Sequence, residues 1–295
     1  MPDLKRCAML AAGLLASGAA HAHLPPASAG EGASWIAALL SISLLACGAG
    51  AFRLWRRTRD RHALVRRALA FSSGTVVLAV LLLGPLDDLA ATSFAAHMVQ
   101  HEGLMLVAAP LLVVGHGLPL MLWSLPHALR LRVGGLTSNR AFSDAWRVLS
   151  SPLSAWLLHA AALWLWHAPV LFNAALTRPA VHDWQHVSFL GTALLFWHAL
   201  LRRGAHRSQG LAVLYLFTTT IHTGVLGALL TFARAPLYAP LDTGLIALGR
   251  LTPLEDQQLG GLIMWVPGAL VYAGMGLWLA ARWIGAERPG VIASR

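Results

Sequence analysis

The chain has 295 residues, of which 57% are apolar and only 12% are charged, and its formal net charge is +10. Soluble globular proteins carry about 25% charged residues, so this composition excludes a water-soluble enzyme, a disordered chain and a secreted disulfide scaffold. The positive charge alone is compatible with a nucleic-acid-binding protein, but only if the basic residues form one patch.

The first 22 residues are typical of a secretory signal peptide. Lys5 and Arg6 precede an apolar run of 14 residues from Cys7 to Ala20, and Ala20-His21-Ala22 fits a cleavage site. The run is shorter than the roughly 20 residues that a spanning helix needs, which favours cleavage over an uncleaved anchor. Residues 23–32 are then expected to form an external N-terminal segment.

Seven apolar stretches follow, each long enough to cross a bilayer as a helix. The predicted spans are Ala33–Phe52, Ala68–Leu86, Ala90–Gly115, Pro152–Phe172, Trp184–Leu201, Gly210–Ala233 and Leu259–Ala281. Their continuous apolarity differs from the alternating pattern of a membrane barrel. We therefore predict an all-α polytopic membrane protein, with a seven-helix transmembrane bundle over residues 33–283 and a cytoplasmic tail at 284–295.

The arginines indicate the orientation of this bundle. Seventeen of the 20 arginines beyond residue 22 fall in the loops and tail on one side, and seven of them lie between Arg53 and Arg67. Because basic residues are enriched in cytoplasmic loops, the asymmetry predicts an external N-terminus and a cytoplasmic C-terminus. The charge is therefore a topology signal, and nucleic acid is not an expected partner.

Two histidine pairs give the strongest indication of chemistry. His97 and His101 in the third span, and His182 and His186 at the start of the fifth, are each four residues apart and share one helix face. Both pairs are predicted at the outer ends of their spans. Four imidazoles there could converge on copper, zinc, iron or nickel. The alternative is that these histidines form hydrogen bonds between helices.

Further polar residues extend this candidate site. His167 is predicted in the outer part of the fourth span and His222 near the middle of the sixth. Ionisable groups are costly inside a membrane and often mark a functional site. Glu102 and Asp183, which directly follow histidines of the two pairs, are candidates for orienting an imidazole. If Glu102 lies at the interface, it is simply solvated.

The last predicted span has a polar start. Thr252-Pro253 followed by Glu255 and Asp256 is typical of a helix N-terminus, where acidic residues are favourable. Gly260-Gly261 permits close helix contact. Met264 offers a thioether that suits Cu(I), although methionines in apolar helices more often serve packing.

Three motifs, in this order, resemble those of a known family. They are His97-Met98-Val99-Gln100-His101 with Ala109-Pro110-Leu111, then Trp166-His167-Ala168-Pro169 with 172–176, His182 and His186, then Asp256 to Pro267. Together they are similar to the integral-membrane cytochrome c oxidase assembly factors called CtaG, of the caa-type oxidases. The resemblance extends over about residues 68–281.

The resemblance implies a non-catalytic, multi-pass protein of the bacterial inner membrane that aids copper insertion or subunit maturation in a haem-copper oxidase. A copper ion is the implied ligand. The implied partners are oxidase subunits, a periplasmic copper carrier and membrane lipid. The outer histidines match those of the family, and Gln257, Gln258 and Met264 match its last-span motif. Glu102 departs from it, because an apolar residue is expected there.

Three other hypotheses fit parts of the sequence. A copper transporter needs polar residues through the full depth of the bilayer, where only His159 and His222 are available. A chaperone without metal would explain why no complete ligand set is evident. A membrane cytochrome with bis-histidine haem ligation needs opposed histidines on different helices, such as His101 and His222.

Overall fold

The computed structural model describes residues 27–137, 139–201, 209–239 and 251–286, and all regular structure in these residues is helical. The helices are α1 (Ala27–Trp55), α2 (Arg61–Leu83), α3 (Pro85–Ala90), α4 (Phe94–Glu102), α5 (Ala109–Gly115), α6 (Gly117–Ser124), α7 (His127–Thr137), α8 (Arg140–Leu149), α9 (Pro152–Trp166), α10 (Pro169–Thr177), α11 (Pro179–Leu201), α12 (Gln209–Thr231) and α13 (Pro253–Ala286). The predicted signal peptide, residues 23–26 and residues 287–295 lie outside the described residues.

Five helical segments are long and apolar enough to cross a bilayer: Ala33–Trp55, Arg61–Leu83, Phe94–Gly115, Gly210–Thr231 and Pro253–Gly285. They correspond to the first, second, third, sixth and seventh predicted spans. Helices α8 and α9 together would make a sixth span, but they are bent by 64°. The described residues thus form a helical membrane protein with five or six candidate spans, and the prediction of seven is not confirmed.

The fourth and fifth predicted spans are not found as single apolar helices. A proline interrupts the fourth, and a polar segment lies in the fifth. The span predicted over Pro152–Phe172 is divided, since α9 ends at Trp166 and α10 begins at Pro169. Proline cannot donate a backbone hydrogen bond, and it favours the extended conformation that Ala168 adopts. Helix α11 has 23 residues. Its polar segment His182–His186 lowers its hydropathy, and it is not among the apolar candidates.

The third span contains a π-helical turn, Gly103–Ala108, between α4 and α5. Such turns interrupt the regular hydrogen bonding of an α-helix. The indole Nε1 of Trp197 in α11 donates a hydrogen bond to the carbonyl of Met105, at 2.8 Å. This bond fixes α11 against the turn, directly after the histidines of α4.

Helix α13 begins as its sequence predicts. The Thr252 hydroxyl accepts a hydrogen bond from the backbone N–H of Glu255, at 3.3 Å. In return, the Glu255 carboxylate accepts one from the backbone N–H of Thr252, at 2.7 Å. This reciprocal arrangement is a capping box, which satisfies two N–H groups at a helix start.

Helix α13 packs along α12 and against α4. A Cβ on Gly261 would lie 2.7 Å from the carbonyl oxygen of Gly227 in α12. A Cβ on the neighbouring Gly260 would overlap the ring of Phe94 in α4. The predicted role of the glycine pair in close helix contact is therefore confirmed for two neighbours of α13.

Large apolar side chains cover the outside of the described bundle, among them Leu45, Val170 and Leu277. An apolar surface of this extent is unfavourable in water and is expected to face lipid. Arginines gather instead where α1 and α6 end and α2 begins. We call this region the arginine-rich end.

The contact between α12 and α13 gives a test of the packing. Gly261→Ala places a methyl group against backbone atoms of Gly227 and Thr231, which cannot move aside as a flexible side chain can. We expect a loss of about 1–3 kcal/mol in stability, measured as a lower Tm in detergent. Gly274→Ala on the same helix is the control, because a Cβ there meets nothing within 4 Å. Equal losses in both variants would contradict the packing.

Candidate metal centre

The helix that carries the first histidine pair, α4, begins inside the protein. The backbone N–H groups of Phe94 and Ala95 donate to the carboxylate of Asp256 in α13, at 2.6 and 3.2 Å. The Ser93 hydroxyl donates to the same carboxylate at 2.8 Å and accepts from the N–H of Ala96. Asp256 is buried, and a negative charge at a helix N-terminus is favourable. Helix α13 therefore fixes the start of α4.

Four imidazole rings meet about one turn after this start. The ring centroids of His97 and His101 in α4 are 4.2 Å apart. Those of His182 and His186 in α11 are also 4.2 Å apart. Between the helices, His97 lies 5.2 Å from His182, and His101 lies 5.2 Å from His186. The structure thus brings the two predicted pairs together, and we call these residues the four-histidine cluster.

Ring nitrogens of three cluster residues are close enough to share a metal ion. One nitrogen each from His97, His101 and His182 lies within 4.8 Å of the others. Two nitrogens on opposite sides of a metal ion are about 4 Å apart, because each metal–nitrogen bond is about 2 Å long. Small side-chain movements are therefore enough to complete the site. His186 borders it through its ring contacts with His101 and His182.

Nitrogens of the cluster lack hydrogen-bond partners in the described part of the chain. They are the Nε2 atoms of His97, His182 and His186, and both ring nitrogens of His101. His97 and His101 are only 2% and 1% exposed. Buried polar atoms are nearly always hydrogen-bonded, and an unpaired one costs about 1–3 kcal/mol. A metal ion would engage these nitrogens, so the residues present fit such a ligand.

A carboxylate that the sequence analysis does not single out lies beside the cluster. Gln100, between the two histidines of α4, donates from Nε2 to the carbonyl of Leu81 and to Oδ1 of Asp87, both at 2.7 Å. Burial raises the pKa of Asp87, whereas the hydrogen bond from Gln100 and the nearby His182 act against this rise. Asp87 lies in the short link between the second and third predicted spans. In the sequence, this site residue is indicated only by the acidic pair Asp87-Asp88, just before the span that carries the histidines.

His167 lies one aromatic layer away from the cluster. Its ring contacts Phe172 and Phe189. The same two phenylalanines contact the rings of the α4 histidines, Phe172 at His97 and Phe189 at His101. The Nε2 of His167 is another buried nitrogen without a partner among the described residues. His167 therefore borders the site and is not one of its grouped ligands.

His222 and Asp183 are also apart from the cluster. The His222 ring contacts Trp156 in α9. His101, which a bis-histidine haem would pair with His222, packs instead against other cluster histidines and a phenylalanine. This arrangement does not favour the haem hypothesis. Asp183 is exposed, and among the described residues no hydrogen bond joins it to a cluster histidine.

Glu102 is embedded in the protein. It lies within the candidate span Phe94–Gly115, and its Oε2 is buried without a partner in the described residues. A Cβ added to Gly268 of α13 would be 3.3 Å from that oxygen. The carboxyl group therefore faces α13, whereas the α4 histidines contact α11. No hydrogen bond joins Glu102 to a cluster histidine in the described residues, so its orienting role stays a prediction.

The predicted last-span residues support the site from a distance. The Gln257 Oε1 accepts a hydrogen bond from the N–H of Leu237 at 2.7 Å, and the Gln258 Nε2 donates to the carbonyl of Ala233 at 3.0 Å. Met264 is buried in an apolar core cluster that includes residues of α4. Through these contacts Gln257 and Gln258 hold the segment after α12 and Met264 fills the core.

Tyr238, in that segment, closes the break between α9 and α10. Its hydroxyl donates to the carbonyl of His167 at 2.9 Å. That carbonyl lies at the end of α9, where carbonyl groups have no N–H donor within the helix. Burial raises the pKa of Tyr238, so the hydroxyl stays protonated and able to donate. The broken span is thus held beside the cluster.

The cluster lies at the end of the bundle opposite the arginine-rich end. Gln100 contacts Leu81 near the C-terminus of α2, whereas that helix begins at Arg61. About 20 helical residues separate the two points, which corresponds to about 30 Å. This is the thickness of the apolar part of a bilayer.

Removing the cap of α4 tests how the site is held. Asp256→Ala leaves the N–H groups of Phe94 and Ala95 and the Ser93 hydroxyl without their buried partner. We expect a loss of about 2–3 kcal/mol in stability, measured as a lower Tm in detergent. Glu255→Ala is the control, because that neighbouring carboxylate is exposed and bonds Thr252. If the two variants were equally stable, the cap would not hold α4.

Comparison with known proteins identifies the family. Residues 45–286 match the cytochrome c oxidase caa3 assembly factor family, Caa3_CtaG. The matched range includes the four-histidine cluster and the Asp256 cap. Comparisons with curated proteins and with solved structures found no match. Because the family match covers most of the sequence and agrees with the resemblance of its motifs, this chain belongs to the cytochrome c oxidase caa3 assembly factor family.

Proposed function

We propose that this family member assists the assembly of a haem-copper cytochrome c oxidase by holding a copper ion in the four-histidine cluster and releasing it to an oxidase subunit. The observation that carries the proposal is the meeting of four imidazoles from two helices, with buried nitrogens that lack partners among the described residues. In an apolar interior such nitrogens are costly unless a ligand engages them.

The donor set and its anchoring suit copper. Neutral imidazole is a good ligand for copper. Helix α4 is held by the Asp256 cap, and α11 is held by the hydrogen bond from Trp197 to Met105. Because both helices are fixed near the cluster, the rings need little reorganisation to bind the ion.

The charge balance of the cluster favours transient holding. The grouped ligands His97, His101 and His182 include no carboxylate. A metal ion bound there by neutral groups keeps its positive charge in a buried position, which is costly. Asp87, linked to α4 through Gln100, offsets only part of this charge. Release to a partner is therefore easier than from a site with several carboxylates.

We place the cluster at the outer face of the bacterial inner membrane. The support is the arginine asymmetry of the sequence, which predicts that the arginine-rich end is cytoplasmic, together with the position of the cluster at the opposite end of α2. At the outer face a periplasmic copper carrier can deliver the ion and an oxidase subunit can accept it. This role is assembly and requires no catalysis.

A buried histidine elsewhere in the bundle does not extend the cluster into a transport path. The His159 Nε2 is 3.2 Å from the Tyr272 hydroxyl, and its Nδ1 is 3.3 Å from the Thr192 hydroxyl. Both nitrogens are engaged by protein groups and are not free to bind a passing ion. His159 therefore offers no free nitrogen to a permeating ion, which leaves His222 as the deeper histidine whose nitrogens have no partner among the described residues.

Copper content of the purified protein tests the proposal. The double variant His97→Ala/His101→Ala removes two of the three grouped ligands. We expect copper affinity, measured by titration and elemental analysis of the purified protein, to fall at least about tenfold, because even partners of metal ligands are worth 10–100-fold. Cells that carry the variant should also make less copper-loaded oxidase.

His159→Ala is the matched control, since this histidine is equally buried but already has protein partners. Unchanged copper affinity in the double variant would contradict the site, and a preference for zinc over copper would contradict the choice of ion. Copper uptake into vesicles that contain the native protein would support a transporter instead.

A further inference from the structure

A cavity of about 430 Å³ opens at the arginine-rich end. Its walls come from the last turn of α1, the end of α6 and the start of α7. Aromatic residues line it together with four arginines, Arg53, Arg56, Arg57 and Arg130. Cavities of this size hold a small molecule or the polar part of a larger one. It lies at the end of the bundle opposite the four-histidine cluster and is separate from the proposed copper site.

Arg53 is engaged by the protein itself. Its Nη1 donates to the carbonyls of Trp123, Ser124 and Leu125, at 3.2, 2.7 and 3.2 Å. Carbonyls at the end of a helix lack helical partners, and a cation there is favourable. Arg53 therefore joins α1 to α6 and builds one wall of the cavity.

The other three arginines are held by aromatic rings. The guanidinium carbons of Arg57 and Arg130 lie 5.6 and 4.1 Å from the ring centre of Trp123. That of Arg56 lies 5.7 Å from the ring centre of Phe52. A guanidinium that lies near an aromatic ring keeps N–H groups with which it can donate. The three arginines therefore present donors around one cavity, Arg56 and Arg57 from exposed positions.

These arginines have no carboxylate partner within the described residues. In the part of the chain that the structure describes, the ion pair is the one between Arg147 and Asp144 of α8. Asp60, the acid nearest in sequence, caps α2 by accepting from the N–H of Ala63, at 2.8 Å. Because like charges repel, gathering three arginines without a counter-ion is unfavourable unless an anion joins them.

We propose that this cavity binds the phosphate group of an anionic phospholipid. Arg56, Arg57 and Arg130 donate charge-assisted hydrogen bonds to its oxygens. The adjoining surface of α1 exposes apolar side chains such as Phe52 and Leu45, along which the acyl chains lie. Basic pockets between spanning helices are suited to anionic headgroups at the membrane surface. A free phosphate ion shares the headgroup chemistry but gains nothing from the apolar surface.

Native mass spectrometry of the full chain in detergent tests this proposal. The probes are phosphatidylglycerol, phosphatidylcholine and inorganic phosphate. We expect phosphatidylglycerol to bind more tightly than phosphatidylcholine, and inorganic phosphate to compete only weakly. The triple variant Arg56→Gln/Arg57→Gln/Arg130→Gln should bind phosphatidylglycerol on the order of 100-fold more weakly, at about fivefold per arginine.

The control is Arg59→Gln/Arg66→Gln/Arg132→Gln, which removes the same charge from exposed positions that do not line the cavity. It should bind the lipid nearly as well as the native chain. Equal weakening in both triple variants, or equal binding of the two lipids, would overturn the proposal. So would displacement of the lipid by equimolar phosphate. If the first triple variant is unstable, Arg130→Gln alone should weaken binding about fivefold, and no change in it would also overturn the site.

Discussion

The buried carboxylate of Asp256 is the interaction on which the candidate site depends. A helix that begins inside an apolar bundle has N–H groups that neither water nor its own turns can satisfy. A residue 162 positions after Phe94 supplies the acceptor, and it binds the Ser93 hydroxyl as well. The same helix packs on α4 through Gly260. The position of His97 and His101 is therefore set by α13 and not by their local sequence.

Two kinds of buried histidine are present in the described bundle. His159 has both ring nitrogens within hydrogen-bonding distance of hydroxyl groups on two other helices, as expected of a polar residue that joins helices. The cluster histidines pack against one another, and their buried nitrogens find no such hydroxyls in the described residues. Ring nitrogens without a partner in the described residues also occur on His167 and His222. What sets the cluster apart is that ring nitrogens from His97, His101 and His182 lie within 4.8 Å of one another. This grouping is the physical basis of the copper proposal.

Features that depend on neighbours along the chain are predictable from the sequence. The spacing of the histidine pairs and the start of α13 at Pro253 are of this kind, and the motifs that indicate the family are short stretches of the sequence. Features that depend on distant partners are not. The sequence predicts that Asp256 serves the start of its own helix, whereas it caps α4. Likewise, Glu102 faces α13, which its local sequence does not indicate. The fourth predicted span is divided before Pro169, which shows that the average apolarity of a segment does not reveal a helix break at a single proline.

The π-helical turn Gly103–Ala108 gives the two halves of the third span different rotational phases. One surplus residue in an α-helix rotates everything before it by about 100° relative to everything after it. Before the turn, the histidine rings of α4 contact those of α11. After it, α5 packs on both α11 and α2, and a Cβ on Gly115 would meet backbone atoms of Phe71 at 2.5 and 2.7 Å. The surplus residue therefore sets the direction of the side chains before the turn relative to those after it. The turn thus lets one continuous helix act as a scaffold at one end of the bundle and as a ligand carrier at the other.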